Sequence, residues 1–409
     1  MTSSKNGIGD FALLGGKAAF HRPRHVGQPA FPHKEKILAR IGEAMDRRWV
    51  TNNGPMIQEL EARLATYLGG IEVVTVSNGT VALELLARAL DLRGEVIVPG
   101  YTFVATAHAL RWLGLSVVFC DVDPATHLLD PARVEALITP RTSAVVGVHL
   151  WGEVCATSAL AAVCARHDLR LLFDAAHAFG CSHEGRMVGG LGDAETFSFH
   201  GTKFFNTFEG GAVTTRNGAL AARLRLMRNF GFEGFDRVSA LGINARLSEV
   251  AAAAGLVNLD HLEETTVSNR RRYLLYRQAL SGADGLRVYP ISEAERRNHQ
   301  YCVLEWNAPA TGISRDAVMQ VLHAEGVLAR RYFYPGVHRM GPYRTEQPDL
   351  RLPNTEALGD SVLVLPGSHA VSDEDVERIS ELLRAVLRFG PELQGALAGS
   401  ASPTTSPRS

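Results

Sequence analysis

Short apolar runs alternate with helical patterns through the first two thirds of this chain. Residues 73–76, 95–98, 116–120, 143–148 and 169–173 are apolar, β-branched runs of strand length. Between them, residues 82–90, 104–113 and 158–166 carry apolar positions at helical spacing. Strands apolar on both faces, separated by helices, predict a mostly parallel sheet covered on both sides. Residues 195–199 and 212–215 add two strands, joined through a polar loop and a double glycine. An Ala-rich helix over 247–262 and a second helix over 267–281 follow. Beyond them a strand at 302–306 and helices over 315–325 and 373–388 predict a smaller α+β unit. The reading is therefore α/β. Residues 1–30 form a flexible N-terminal segment, 31–265 a large domain, 266–392 a small C-terminal domain and 393–409 a disordered tail.

Length supports two units, since 409 residues exceed what one hydrophobic core usually serves. A formal net charge of -1, with 21% charged residues, gives no electrostatic reason to expect nucleic acid or an anionic membrane as partner. No apolar run approaches the roughly 20 residues that span a bilayer. The N-terminus lacks a secretory apolar region. Five cysteines without a CxxC pair or regular spacing read as reduced, packed thiols, and with these features they predict a cytoplasmic protein. No metal site is expected.

The chemistry concentrates where predicted strands end, the place at which open α/β sheets bind ligands. Lys203 closes Ser198-Phe199-His200-Gly201-Thr202-Lys203, an amine just past a strand among small and polar residues. Asp174 follows the apolar Leu171-Leu172-Phe173. A carboxylate so placed is desolvated and needs a partner, and a protonated pyridine nitrogen is a good one. Ser77-Asn78-Gly79-Thr80 sits at a strand-to-helix junction, where free N–H groups and the helix dipole make an anion site. It is equally an ordinary helix cap. Phe103 or Tyr101 can give a flat ligand its stacking face, or simply pack in the core. His177 can touch a bound ring or serve as a satisfied core histidine. Together an amine, a buried carboxylate and a phosphate-sized cup are what a pyridoxal phosphate enzyme requires. The turn Gly242-Ile243-Asn244-Ala245-Arg246-Leu247-Ser248-Glu249 reads by itself only as a capped helix start.

These elements occur together in a familiar order. Ser77-Asn78-Gly79-Thr80, Pro99-Gly100-Tyr101-Thr102-Phe103, Asp174-Ala175-Ala176-His177-Ala178, the lysine loop, Glu209-Gly210-Gly211-Ala212 and Gly242-Ile243-Asn244-Ala245-Arg246 resemble the motifs of the DegT/DnrJ/StrS sugar aminotransferases. Trp49-Val50-Thr51-Asn52-Asn53-Gly54-Pro55 and Val362-Leu363-Val364-Leu365-Pro366 resemble the family's terminal motifs, so the likeness covers about 26–390. It implies a fold-type-I homodimer with shared active sites, dependent on pyridoxal 5'-phosphate. Lys203 is then the Schiff-base lysine, and Asp174 the partner of the pyridine nitrogen. Phe103 stacks on the ring, and His177 contacts the cofactor. Gly79, Thr80 and Ser198 hold the phosphate together with Asn244 of the neighbouring subunit. Thr51, Asn53, Tyr334 and His338 are candidates for the substrate.

The stretches 203–211 and 330–338 are most similar to enzymes that aminate C4 of a dTDP-4-keto-6-deoxyhexose, which makes a nucleotide sugar and an amino-acid donor, glutamate, the expected partners. Dehydratases of the family carry His where this chain has Lys203, so transamination is favoured. The rivals are a cyclitol aminotransferase using glutamine, a 3-keto-sugar aminotransferase, and a cofactor-binding regulator without catalysis.

Overall fold

In the computed structural model, which describes residues 5–400 and side chains as far as residue 398, the alternation becomes one seven-stranded sheet. Its strands are β1 (Glu72–Val76), β2 (Glu95–Pro99), β3 (Ser116–Cys120), β4 (Thr142–Val148), β5 (Arg170–Asp174), β6 (Ala194–Ser198) and β7 (Gly211–Thr215). Their spatial order is β1-β7-β6-β5-β4-β2-β3. β2 pairs in parallel with β3 and β4, β4 with β5, and β5 with β6. β7 runs antiparallel to both β6 and β1. The sheet is thus mostly parallel, as the apolar runs imply.

Successive strand residues point to opposite faces, and both faces are covered. Val96 and Val98 enter one core with Leu85, Leu86 and Leu110. Ile97, between them, enters the other with Leu160 and Val163. The helices concerned are α3 (Gly79–Ala89), α4 (Val104–Trp112) and α5 (Thr157–Arg166). Two helices precede the sheet in the chain, α1 (Lys34–Asp46) and α2 (Pro55–Tyr67). A further one, α6 (Gly218–Met227), follows β7 and places Leu220 and Leu224 in the first core.

The Ala-rich stretch forms α7 (Glu249–Asp260), and α8 (Leu262–Ala279) follows at once, His261 marking the break. The second helix therefore begins before the predicted 267. Small side chains let α7 approach its neighbours closely. A Cβ on Gly255 would stand 2.8 Å from the Thr207 methyl and 3.2 Å from Leu60. Asn258 on the same helix donates to the Asn206 carbonyl at 2.8 Å. α7 thereby braces the chain just after Lys203. At its other end Ser248 caps α7 through the Ala251 amide, and the Glu249 carboxylate accepts the Met56 and Ile57 amides at the start of α2.

After α8 comes an antiparallel sheet of β8 (Leu286–Val288), β9 (Cys302–Trp306) and β10 (Val362–Leu365). With α9 (Arg315–Ala324) and α10 (Asp373–Arg388) it encloses a second core around Leu304, Val318, Val321, Leu363, Ile379 and Leu383.

Two expectations about the ends need correction. The N-terminal segment, over its described residues, is tied to this second unit. Phe11 is fully buried and meets Phe389 edge to face, and Lys5 pairs with Glu325 at 2.8 Å. Glu325 also accepts the Ala12 and Ala19 amides, and residues 24–25 pair in parallel with 327–328. These contacts join positions some 300 residues apart, so periodicity carries no trace of them. At the other end a helix, α11 (Gly390–Ser400), occupies the first part of the predicted tail, while residues 401–409 lie outside the described residues. All five cysteines are buried and free. Among the described residues no helix is long and apolar enough to cross a membrane.

Candidate active site

The carboxyl ends of β1, β2, β4, β5 and β6 open on one cavity of about 810 Å³. Gly79, Thr80, Phe103, Asp174, His177, Ser198 and Lys203 all line it. The second unit closes it with Tyr301, Arg330, Tyr332 and Phe333.

At the β1 end, Asn78 caps α3 by accepting the Val81 amide at 2.9 Å. The N–H groups of Gly79 and Thr80 belong to the first helical turn, which has no intrahelical acceptor for them. Ser198 lies directly opposite. A Cβ on Gly79 would come within 2.9 Å of the Ser198 Cβ, so the absence of a side chain at 79 makes the cup. Helix dipole, free amides and a hydroxyl in one place suit a phosphate.

At the end of β5 the Asp174 carboxylate accepts from the Thr106 hydroxyl at 2.8 Å and from the Ala176 amide at 3.1 Å. It is buried and forms no ion pair among the described residues. Behind it, His149 stacks on Phe173 and faces Glu195 at 3.5 Å, both His149 and Glu195 being fully buried. Desolvation pulls the His149 pKa down, but its contacts with Cys155 and Glu195 outweigh this and hold it at about 9.

His177 packs beside the stacked pair Trp151 and Phe333, at ring centroid distances of 5.7 and 6.1 Å. Its Nε2 lies 3.2 Å from the Tyr301 hydroxyl. Its Nδ1 is buried without a hydrogen-bond partner among the described residues. Desolvation, aided by the Lys203 charge, holds its pKa well below the usual imidazole range, so the ring is neutral.

Lys203 is fixed by a turn in which its amide donates to the His200 carbonyl at 2.8 Å. Desolvation lowers its amine pKa to about 8, against partial opposition from Asp174. Such an amine has a substantial neutral, nucleophilic fraction near neutral pH. Phe103 presents its ring to the cavity and is 57% exposed, whereas Tyr101 is buried and donates to the Tyr332 carbonyl. Of the two aromatic candidates, Phe103 is the one free to stack.

A buried carboxylate lacking a cation, a buried imidazole nitrogen lacking a partner, an open aromatic face and a cup of free amides together fit pyridoxal phosphate. Each of these unsatisfied groups has a counterpart on that molecule.

Other predicted residues fall elsewhere. Asn244 is absent from this cavity's lining; its side chain accepts from Arg246 at 3.0 Å. Thr51 is exposed and Asn53 accepts from Arg228 at 3.0 Å, both away from the cavity. Tyr334 lies against the Arg331 guanidinium, 4.1 Å from its ring centroid. His338 is buried and pairs with Glu356 at 3.0 Å. Neither lines the cavity. Their motif supplies Arg330 instead, which the sequence reading passed over. Its guanidinium stacks on Tyr332 at 5.4 Å and has no carboxylate partner among the described residues. The signal was an arginine pair whose second member, Arg331, is neutralised by Asp316 at 2.7 Å.

Comparison with known proteins agrees with this geometry. The chain is 35% identical over 367 residues to a dTDP-4-amino-4,6-dideoxy-D-glucose transaminase of Shigella dysenteriae, covering 89% of this chain and 99% of that one. It is 36% identical over 351 residues to a GDP-perosamine synthase of Caulobacter vibrioides, covering 84% and 94%. Among solved structures, DesI in the presence of its TDP-sugar product superposes with a TM-score of 0.92 at 48% identity, covering 96% of this chain and all of that one. Residues 32–384 match the DegT/DnrJ/EryC1/StrS aminotransferase family, to which this chain therefore belongs as a pyridoxal-phosphate-dependent sugar aminotransferase.

Proposed function

We propose that the chain aminates C4 of a dTDP-4-keto-6-deoxyhexose, with L-glutamate as donor, in the biosynthesis of an amino-sugar. The observation that carries this reading is the single cavity holding Lys203, Asp174, His177, Phe103 and the Gly79-Thr80-Ser198 cup. Relatives named for C4-amino sugars and for a TDP-sugar complex support the acceptor.

The bound cofactor supplies an electron sink for the carbanion formed at the donor's Cα. Asp174 keeps the pyridine nitrogen protonated, and Thr106 and the Ala176 amide hold that carboxylate in place. Gly79, Thr80 and Ser198 anchor the phosphate. Phe103 covers one face of the ring. Lys203 would hold the cofactor, and its amine, with its lowered pKa, would take and return the proton at the donor's Cα as general base and acid. The same amine serves the return half with the keto-sugar. Arg330, an unpaired cation on the cavity wall, holds the donor's carboxylate.

A homodimer completes the site. Asn244 sits on a segment, 230–246, that carries the exposed apolar side chains Phe230, Phe235, Val238, Leu241 and Ile243. Apolar groups in that number on one segment favour burial against a second copy. That copy would bring Asn244 to its neighbour's phosphate cup. A cytoplasmic location fits the free, buried cysteines.

The test is a product assay on a panel of nucleotide keto-sugars, with glutamate and glutamine as donors. Amination of the 4-keto-6-deoxyhexose at C4 with glutamate is expected. A product aminated at C3, or on a cyclitol with glutamine, would displace this reading.

A further inference from the structure

The N-terminal segment does more than cover the second unit, for it also reaches the active-site cavity. Residues 24 and 25 pair in parallel with 327 and 328, and the Arg24 amide donates to the Gly326 carbonyl at 2.8 Å. The Arg24 guanidinium holds Asp375 of α10 by two hydrogen bonds, at 2.7 and 3.0 Å. Where this pairing ends, Val26 follows on one side and Ala329 on the other, one residue short of Arg330 on the cavity wall. Among the described residues, Val26 is the only one before Ser77 that lines the cavity. It is half-buried and packs on the core that contains Tyr301 and Phe333.

From Val26 the chain presses on the lysine loop. Gly27 has a φ of +67°, and a Cβ there would stand 3.0 Å from the Thr202 Cβ. The Gln28 carbonyl accepts from the Ser368 hydroxyl at 3.0 Å, and Phe31 packs on Phe208 with ring centroids 5.4 Å apart. Val26 is therefore fixed from both sides, by the pairing that leads to Arg330 and by the contact with the residue before Lys203. The segment thus sets an apolar side chain, without a hydrogen-bonding group, in the wall of the cavity that holds the reactive amine.

We infer that Val26 is a specificity-determining residue, whose methyl groups receive the methyl substituent that flanks the acceptor's keto carbon. The inference rests on the acceptor proposed above, a 4-keto-6-deoxyhexose, in which C5 beside the keto carbon bears a methyl group. A sugar that keeps its 6-hydroxyl presses that hydroxyl on Val26, where it loses water and gains no partner from the side chain. Apolar walls discriminate against such a hydroxyl by about tenfold to a hundredfold. Glutamate has no methyl group beside its reacting carbon, so the donor half of the reaction depends on Val26 far less.

The test is calorimetric titration of the full-chain holoenzyme with dTDP-6-deoxy-D-glucose and with dTDP-D-glucose, which differ only in the 6-hydroxyl and cannot be aminated. The wild type should bind the deoxy sugar about tenfold more tightly or better. Val26→Thr keeps the shape of the side chain and adds a hydroxyl, so it should fold normally and bring the two affinities closer together. Val26→Phe should weaken both sugars about tenfold or more while slowing the glutamate half-reaction, followed by absorbance, far less. Equal affinities in the wild type, or a ratio unchanged in Val26→Thr, overturn the role of Val26 and leave the proposed acceptor standing. Failure of both sugars to bind an enzyme that still reacts with glutamate overturns the acceptor and the role of Val26 together.

Discussion

Lys203 illustrates how a residue's surroundings set its chemistry. Removed from water, its amine prefers to be neutral, and its pKa falls from 10.5 to about 8. Covalent uptake of the cofactor by apoprotein should therefore accelerate as pH rises through about 8 and then level off, followed by absorbance. The same shift affects stability. Between pH 8 and 10.5 the unfolded chain holds a proton at Lys203 that the folded apoprotein has shed. Apoprotein stability from Lys203 therefore rises with pH across that window, and Lys203→Met should flatten the rise in urea melts. Arg330 supports a second expectation. Arg330→Gln should raise the KM for glutamate about tenfold or more while changing kcat far less, because it removes a charged contact common to ground and transition states. At this scale residue type and position marked several groups that the fold gathers in one cavity. Lys203, Asp174, Gly79 and Ser198 announce themselves by residue type at strand ends. Arg330 did not, since its approach to the cavity depends on a distant unit folding back. Nor does anything in the motif of His338 reveal that it is buried against Glu356.

Among the elements, the sheet was the most readable part. Residues buried on both faces leave continuous apolar runs, and all seven of its strands were placed within one residue of their ends. The start of α8 was not, because the polar residues 263–266 hide a helix whose first residue follows His261 with no side-chain cap. The close packing of α7 is a physical consequence of its composition. Gly255 stands against Thr207 and Leu60 with no room for a side chain. Gly255→Val should cost about 1–3 kcal/mol of stability, read as a lower urea midpoint at unchanged slope. It should also loosen the lysine loop that α7 supports, slowing turnover. A wild-type midpoint in that variant would mean that α7 does not brace the loop.

For the whole molecule, two features escape any local reading. The N-terminal segment folds over the second core through Phe11 and the buried Lys5–Glu325 pair, contacts set by tertiary structure alone. The exposed apolar side chains around Phe235 and Leu241 are the surface on which the proposed second chain would pack. Sedimentation should give a species of twice the chain mass. Phe235→Asp combined with Leu241→Asp should shift it towards single chains and lower activity in parallel, because Asn244 then no longer reaches a neighbour's phosphate cup. Full activity in a single-chain species would contradict the shared site.

The central claim is that Lys203 carries the cofactor and the proton in a sugar aminotransferase. The most direct measurement is the absorbance of the cofactor-loaded protein as glutamate is added, in wild type and in Lys203→Ala. The wild type should show the band of lysine-bound cofactor and convert it to the amine form. Lys203→Ala should fold normally, lack that band and fail to turn over. Conversion by the variant at near wild-type rate would contradict the assignment.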